Sequence, residues 1–379
     1  MAVTDAGEKQ PQRAAARPSR AARRAAWPAE WRHAFALSLL PFLLSVGLLS
    51  IGLVALAPGS ASAADVVTLG TLKLIGGAPI FVGLDKGFFA EEGLDVQVRW
   101  FSAASPIAVA VAANQLDVGA TGITAALFNS IAQGARLILV ADRGSERPGY
   151  RLNALLTSRE RYEAGLRSVQ DLRGARIGIT ELGSTYHYQI GRILELNGMS
   201  VGDVELVPLR DISMMLQAVR QGTVDAALVS PPWGANAEAE GWGRVVFWAG
   251  DLLPYQVTGV FFSQRMAARR DVAVRFMRAY IRGVRWYNQA AFGLGGPGGP
   301  GTAMHDELLR IVADYTGARP DAIALSLAYV DPEARVDVAD LRQQQEWYQA
   351  HGLLARVVDP AQFVDMSFID EALAGLAAR

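Results

Sequence analysis

Asn114-Gln115-Leu116-Asp117-Val118-Gly119-Ala120-Thr121 and Gly222-Thr223-Val224-Asp225-Ala226-Ala227-Leu228-Val229 are the two stretches on which the fold turns. Each holds a helix end, a tight turn, an aspartate and a strand of small residues. A polar or helix-breaking segment follows each, Gly122 in one and Ser230-Pro231 in the other. The echo predicts two equivalent α/β lobes. Each lobe then presents the carboxyl ends of its strands, which is where open α/β sheets bind ligands. Such joints also recur inside any single α/β domain, so the flanking sequence has to agree.

It does. Val66–Gly70 is β-branched and strand-like, and Gly76-Gly77-Ala78-Pro79 follows, with Pro79 suited to a first helical turn. Ile80, Phe81, Leu84 and Phe88 then recur at helical spacing up to Gly93. Residues 95–100 alternate like a strand. Helices are expected near 106–114 and 124–133, with strands at 117–120 and 136–141. A second unit begins near Ser168, with strands at 175–180, 204–209 and 224–229. Its helices open at Gly183-Ser184-Thr185 and Ile212. Alternation of this kind implies right-handed βαβ units and a mostly parallel sheet. Beyond about Gln264 the pattern is mainly helical. The glycine- and proline-rich run 293–301 reads as a flexible surface loop.

At 379 residues the chain exceeds one ordinary domain of roughly 100–200 residues. Hydrophobic residues make up 51%, enough for a sizeable core. Charge is uneven. Residues 1–63 hold seven basic and three acidic side chains, leaving 29 basic against 34 acidic in the remainder. A mildly acidic body argues against nucleic-acid binding. The complete lack of cysteine removes disulfides, thiolate metal sites, a cysteine nucleophile and a lipid-modified cysteine. The leader is basic (Arg13 to Arg32), then apolar from Ala34 to Ala57, then small-residue rich at Ala61-Ser62-Ala63. That order predicts an export signal cleaved after Ala63. The alternative is an uncleaved membrane anchor, since the apolar run is long enough to span a bilayer.

Several stretches resemble the nitrate/sulfonate/taurine/thiamine-precursor family of periplasmic binding proteins. The most specific is the run from Ala78 to Val96, with Gly83-Leu84-Asp85-Lys86-Gly87-Phe88-Phe89-Ala90-Glu91-Glu92-Gly93-Leu94-Asp95 at its heart. The paired Asp117 and Asp225 segments, Asp171 to Gly178, and the closing Val364 to Leu373 match as well. The resemblance covers about 66–377. It implies a type II periplasmic-binding-protein fold: two α/β lobes, a two-crossing hinge and a helical C-terminal tail. The expected division is 1–63 leader, 64–154 plus 260–379 lobe I, and 155–259 lobe II, with crossings near Leu152–Thr157 and Gln256–Phe262. The implied role is the solute-binding component of an ABC importer, a monomer in the periplasm that meets a membrane permease. The runners-up are a membrane-anchored sensor and an enzyme on the same fold. Thiamine-pyrimidine synthases share the fold, but the resemblance would demand cysteines that this chain lacks.

No catalytic or metal-ligating pattern is present, and no cofactor is expected. His187, His305 and His351 are scattered, no Gly-x-Ser-x-Gly elbow exists, and the glycine-rich runs lack a phosphate loop's Lys-Ser/Thr. Ligand-binding candidates follow from where strands end. Ser184 and Thr185 open a helix whose free amides and dipole favour an anion, or serve only as its cap. Gly76 and Gly77 let backbone approach a ligand, or make a plain turn. Thr121 and Thr124 stand between strand and helix in the first lobe. Ser230 and Trp233 hold the matching place in the second, where Trp233 stacks on a planar ligand or joins the core. His187 and Tyr188 follow Thr185 and are weaker contact candidates, and Lys73 and Arg143 are the best cationic ones.

Overall fold

A computed structural model describes residues 63–378 of the chain. The predicted signal segment and its cleavage point at Ala63 fall at or before this limit, so the leader lies outside the described residues. Ten strands form two five-stranded sheets. The first takes β1 (Asp65–Leu72), β2 (Leu94–Phe101), β3 (Val118–Gly122), β4 (Ile138–Glu146) and β10 (Tyr255–Phe262) in the order β2-β1-β3-β10-β4. The second takes β5 (Ala154–Ser158), β6 (Arg176–Ile179), β7 (Glu205–Pro208), β8 (Ala226–Val229) and β9 (Gly243–Trp248) in the order β7-β6-β8-β5-β9. In each sheet one strand runs against the other four: β10 is antiparallel to β3 and β4, and β5 to β8 and β9. The type II fold implied by the sequence, with two α/β lobes and a helical C-terminal region, is what the chain adopts.

The two echoed aspartates do the same mechanical job in both sheets. Asp117, just before β3, accepts from the amide and hydroxyl of Thr68 on β1 (2.9 and 2.8 Å) and from Arg265 Nε (2.9 Å). Asp225, just before β8, accepts from the Arg176 amide on β6 (2.8 Å) and pairs with Arg161 (2.7 Å). Burial alone would push both carboxyls up. The amide, hydroxyl and guanidinium donors outweigh it and hold both below the usual carboxylate range. Each aspartate thereby ties the strand it precedes to a parallel neighbour, β3 to β1 in one sheet and β8 to β6 in the other.

The chain passes between the sheets through 147–153 and again through 249–254. The strand-like runs expected at the crossings lie immediately after these passages. Leu155 and Leu156 pair fully within the second sheet, and Gln256 to Phe262 within the first. A returning strand satisfies its backbone donors by docking wholly in one sheet, so the crossings fall to the segments between strands, the second of which holds the short helix Ala249–Leu252. The β4 strand is longer than its apolar run predicts, because β10 pairs with it as far as Tyr255↔Glu146. This places Arg143 within the strand rather than past its end.

Two apolar cores hold the lobes. One surrounds Phe81, Phe262, Phe276 and Tyr280, where the long helix Arg270–Phe292 covers the first sheet. The other joins Leu155, Ile177 and Leu228 of the second sheet and Ile190 of the helix Thr185–Leu196 to Phe128, Tyr348 and Phe363. The helix Val338–Ala350, in the tail assigned by sequence to the first lobe, also packs on the second. Trp347 fits so closely over Gly191 that a Cβ there would lie 2.2 Å from its ring. The glycine-rich 293–301 segment is turned back on its preceding helix, where a Cβ on Gly298 would come 2.2 Å from the Gln289 carbonyl. Close approach, as well as exposure, explains the glycines there.

Candidate functional site

The carboxyl ends of β1, β3, β6 and β8 converge on a cleft between the lobes, with about 700 Å³ of empty space. Leu72, Leu74, Gly76, Ser102, Thr121 and Arg143 line it from the first lobe. Thr180, Glu181, Ser184, Thr185, Tyr186, Ile212 and Ser230 line it from the second. Leu152 and Asn153 from the first crossing, with Val257 and Thr258 from β10, complete the wall. The lobes already touch here. The Ala125 amide donates to the Gly183 carbonyl (2.9 Å), and a Cβ on Gly122 would meet Thr185 Cγ2 at 2.9 Å.

Arg143 dominates the electrostatics. Its side chain is 3% exposed, and among the described residues it makes no ion pair. One Nη donates a long hydrogen bond to Thr71 Oγ1 (3.5 Å), and Nε has no partner. Thr71 in turn donates to the Ala120 carbonyl (2.8 Å), which fixes the lone pair that Arg143 meets. Burial brings the guanidinium down to about 10, opposed by Tyr280 and Asp142, so it stays charged at neutral pH. Asp142, its neighbour in β4, makes no hydrogen bond or ion pair with it among the described residues. Its carboxylate accepts from the amides of Gly144 (3.1 Å) and Asp331 (2.9 Å) and from Ser145 Oγ (3.3 Å). Burial also lifts it to about 7. Thr121 Oγ1 is wholly buried and equally unpartnered. A buried donor left unpaired costs about 1–3 kcal/mol, more when charged, so this end of the cleft is built to receive an acceptor.

The second lobe contributes a helix start. Ser184 caps the helix Thr185–Leu196, its Oγ accepting from the His187 amide (3.2 Å). The first amides of that helix lack intrahelical partners. Beside them Tyr186 Oη and Ser230 Oγ share a 2.6 Å hydrogen bond, and Ser230 donates to Asn153 Oδ1 (2.8 Å). Burial pushes the Tyr186 phenol up to about 12, so it remains a neutral donor. At the rim, Ser105 of the first lobe donates to the Glu181 carboxylate of the second.

Of the sequence-derived candidates, Gly76, Thr121, Arg143, Ser184, Thr185 and Ser230 line this one cleft. Gly77 sits behind it, against the Phe81 ring. Thr124 is buried as the cap of the helix Ala125–Ala132, accepting from the Leu127 amide (3.3 Å). Lys73 points outward, its Nζ 5.4 Å from the Trp100 ring centroid. His187 is buried with Nδ1 accepting from the Gly183 amide (3.0 Å), and burial and His351 bring it down to about 4. Trp233 faces a separate hollow with Leu216, Arg220 and Trp242. Glu181, Asn153, Tyr186 and Thr258 were not foreseen. Glu181 follows a strand end and was open to the same rule that found Ser184. Asn153 and Thr258 lie within the strand-like runs expected at the crossings, but which residues of those runs face the cleft depends on how the two sheets are set against each other. Among the described residues no three His, Asp or Glu side chains converge as metal ligands would.

A family model described as the NMT1-like family matches residues 60–293. This chain belongs to that family. One curated relative is the bicarbonate transport ATP-binding protein CmpC of Synechococcus elongatus, 23% identical over 284 residues, which are 69% of this chain and 40% of that protein. The chain thus spans about 40% of the length of the curated relatives it matches over most of its own length. Solved structures share its fold. The nitrate-binding protein NrtA of Synechocystis has a TM-score of 0.68 at 14% identity, covering 83% of this NMT1-like chain and 90% of its own. The alkanesulfonate-binding protein SsuA of Xanthomonas axonopodis, solved with MOPS, has 0.64 at 18%, covering 80% and 99%. The desulfurization enzyme DSZB has 0.55 at 16%, covering 82% and 99%. The fold therefore serves binding proteins and at least one enzyme, and the chemistry of the cleft has to choose.

Proposed function

We propose that this NMT1-like protein is the extracytoplasmic solute-binding component of an ABC importer. It takes a small organic anion, such as a sulfonate or carboxylate, between its lobes and presents it to a membrane permease. The observation that carries this reading is the buried Arg143 guanidinium, which lines the cleft and, among the described residues, is paired with no carboxylate. Thr121 Oγ1 and the amides at the start of the Thr185–Leu196 helix add neutral donors to the same pocket. Leu72, Leu74, Leu152, Ile212 and Val257 supply an apolar wall for the body of the ligand. The likeness to NrtA and SsuA supports an importer role, and the basic-apolar-small leader supports export to the periplasm. In this reading the leader is removed after Ala63.

The test is a calorimetric and thermal-shift screen of the exported protein against alkane- and arylsulfonates, aliphatic and aromatic carboxylates, and nitrate. Arg143→Met serves as the control. A hydrogen bond to a charged group contributes about 1.5–3 kcal/mol. Two such contacts make the expected loss at least about 100-fold in affinity, while the unliganded variant melts no lower than the parent because an uncompensated buried charge is gone. Binding of an anion with equal affinity to parent and Arg143→Met would overturn the site assignment.

A further inference from the structure

The hinge carries an unfinished hydrogen-bond pair. Glu146 ends β4 in the first lobe, Gln189 lies one turn inside the Thr185–Leu196 helix of the second, and both side chains are fully buried. Gln189 Nε2 donates to Glu146 Oε1 (2.7 Å). Glu146 Oε2 and Gln189 Oε1, the other oxygen of each group, have no partner. Neither orphaned acceptor brings a hydrogen to the other. One proton on Oε2 makes it a donor. The two groups then close an acid–amide ring, each giving one hydrogen bond and taking one, and no buried acceptor is left over.

The surroundings favour that neutral form. The second crossing seals Oε2 from water, where a Cβ on Gly250 would lie 3.0 Å from it. Among the described residues no Lys, Arg or His forms an ion pair with the carboxyl. The adjacent Arg147 guanidinium donates to the Glu146 carbonyl and lies 3.9 Å from Asp337. Tyr255 faces the carboxyl from β10, with a buried hydroxyl that reaches no partner. Tyr186 faces it from the cleft helix and Asp251 from the helix Ala249–Leu252. Burial lifts the carboxyl to about 8.

We propose that Glu146 is a positioning residue for the ligand cleft: protonated, it pairs with Gln189 across the lobes and holds the second-lobe wall in its ligand-binding place. The inference rests on the reading above that ligand binds in this cleft. Part of that wall is the start of Gln189's own helix, where Ser184 and Thr185 line the cavity. The rest is reached through Asn153, which faces the carboxyl from the first crossing and accepts from Ser230 Oγ (2.8 Å), itself bonded to Tyr186 Oη (2.6 Å). Opening the lobes separates the pair and admits water, which returns the carboxyl toward its ordinary range. Closure on a ligand then takes up a proton. A group whose proton is held more tightly in the closed form favours binding in acid, so affinity falls as pH rises toward 8.

The experiment uses protein recovered from the export compartment after expression of the full chain. It is titrated from pH 5.5 to 8.5 with straight-chain alkanesulfonates of one to six carbons, which keep their charge throughout. For the tightest of them the parent should lose at least about tenfold in affinity between pH 6 and pH 8. Calorimetric heats in buffers of different ionisation enthalpy should show proton uptake on binding. Glu146→Gln makes the same two bonds to Gln189 without a proton, so it should bind well and lose most of that slope. Asp142 and Asp340 titrate in the same range in both proteins, so the difference between the profiles belongs to Glu146. Gln189→Met should weaken binding at pH 6 and change it little at pH 8, whereas a purely structural role would lower affinity by one factor at every pH. Superimposed profiles for the parent and Glu146→Gln, or binding without proton uptake, overturn the inference. If no sulfonate binds, the anion reading falls and the proton is read directly by infrared spectroscopy at pH 6. A protonated-carboxyl band that is lost in Glu146→Gln keeps the inference, and its absence from the parent overturns it.

Discussion

The Tyr348 hydroxyl donates a hydrogen bond to the Ser184 carbonyl at 3.1 Å. One residue belongs to the helix Val338–Ala350 and the other caps the helix that opens onto the cleft. Trp347 reinforces the join, donating to Glu195 (2.8 Å) and standing edge-on to Tyr188 and His187. The tail is thus a third tie between the lobes, beside the two crossings. It holds the cleft-facing end of the Thr185–Leu196 helix.

Tyr348→Phe removes this one bond and leaves the ring in place. The expected cost is about 0.5–1.5 kcal/mol, read as a lower melting temperature. Amide exchange at 185–188 should quicken more than in the rest of the second lobe. Uniformly faster exchange would show that the bond contributes only to global stability.

Thr121 and Thr124 lie three residues apart and are expected to separate binding from folding. Thr124 caps a helix, so Thr124→Ala should cost about 1 kcal/mol of stability with ligand affinity nearly unchanged. Thr121 keeps a buried hydroxyl with no partner, so Thr121→Val should leave the unliganded protein as stable or more so and weaken ligand binding. Denaturant melts and calorimetry on both variants check the pair. The reverse pattern would place the ligand nearer Thr124.

Glu146 closes β4 at the hinge, where the Gln189 side chain from the second lobe donates to it at 2.7 Å. Burial pushes its carboxyl from 4.5 up to about 8 against the hydrogen bonds from Gln189 and Asn153. Between those pH values the native protein binds a proton that the unfolded chain has released, so stability falls as pH rises through the window. Asp142, lifted to about 7, and Asp340, lifted to about 6, both chiefly by burial, add to the same slope. The parent should melt progressively lower from pH 5 to pH 8.5. Glu146→Gln should flatten that decline and melt higher at pH 8.5, by about 2–4 °C for each kcal/mol recovered. Parallel curves for the two proteins would mean that Glu146 is ionised in the native hinge.

The echo of Asp117 and Asp225, together with the strand and helix alternation around it, pointed to two α/β lobes, and in both the aspartate pins the start of its strand to a parallel neighbour. Helix positions were legible for the same local reason. Apolar spacing, capping Ser and Thr, and glycine stops act within a few residues of one another. Ser184, Thr185, Thr121 and Ser230 could be found because strand ends in such sheets face one side. Tertiary structure decided the rest. Lys73 and Arg143 looked alike in sequence as cations near strand ends. The fold turned Lys73 outward onto Trp100 and buried Arg143, because β10 extends β4 past the point where its apolar run stops. Trp233 and Glu181 exchanged roles in the same way, one facing an outer hollow and the other the cleft. Which side chains share the cavity depends on how two sheets, formed by segments far apart in the chain, are set against each other. A buried charge without a partner is a property of that arrangement and not of any stretch of sequence.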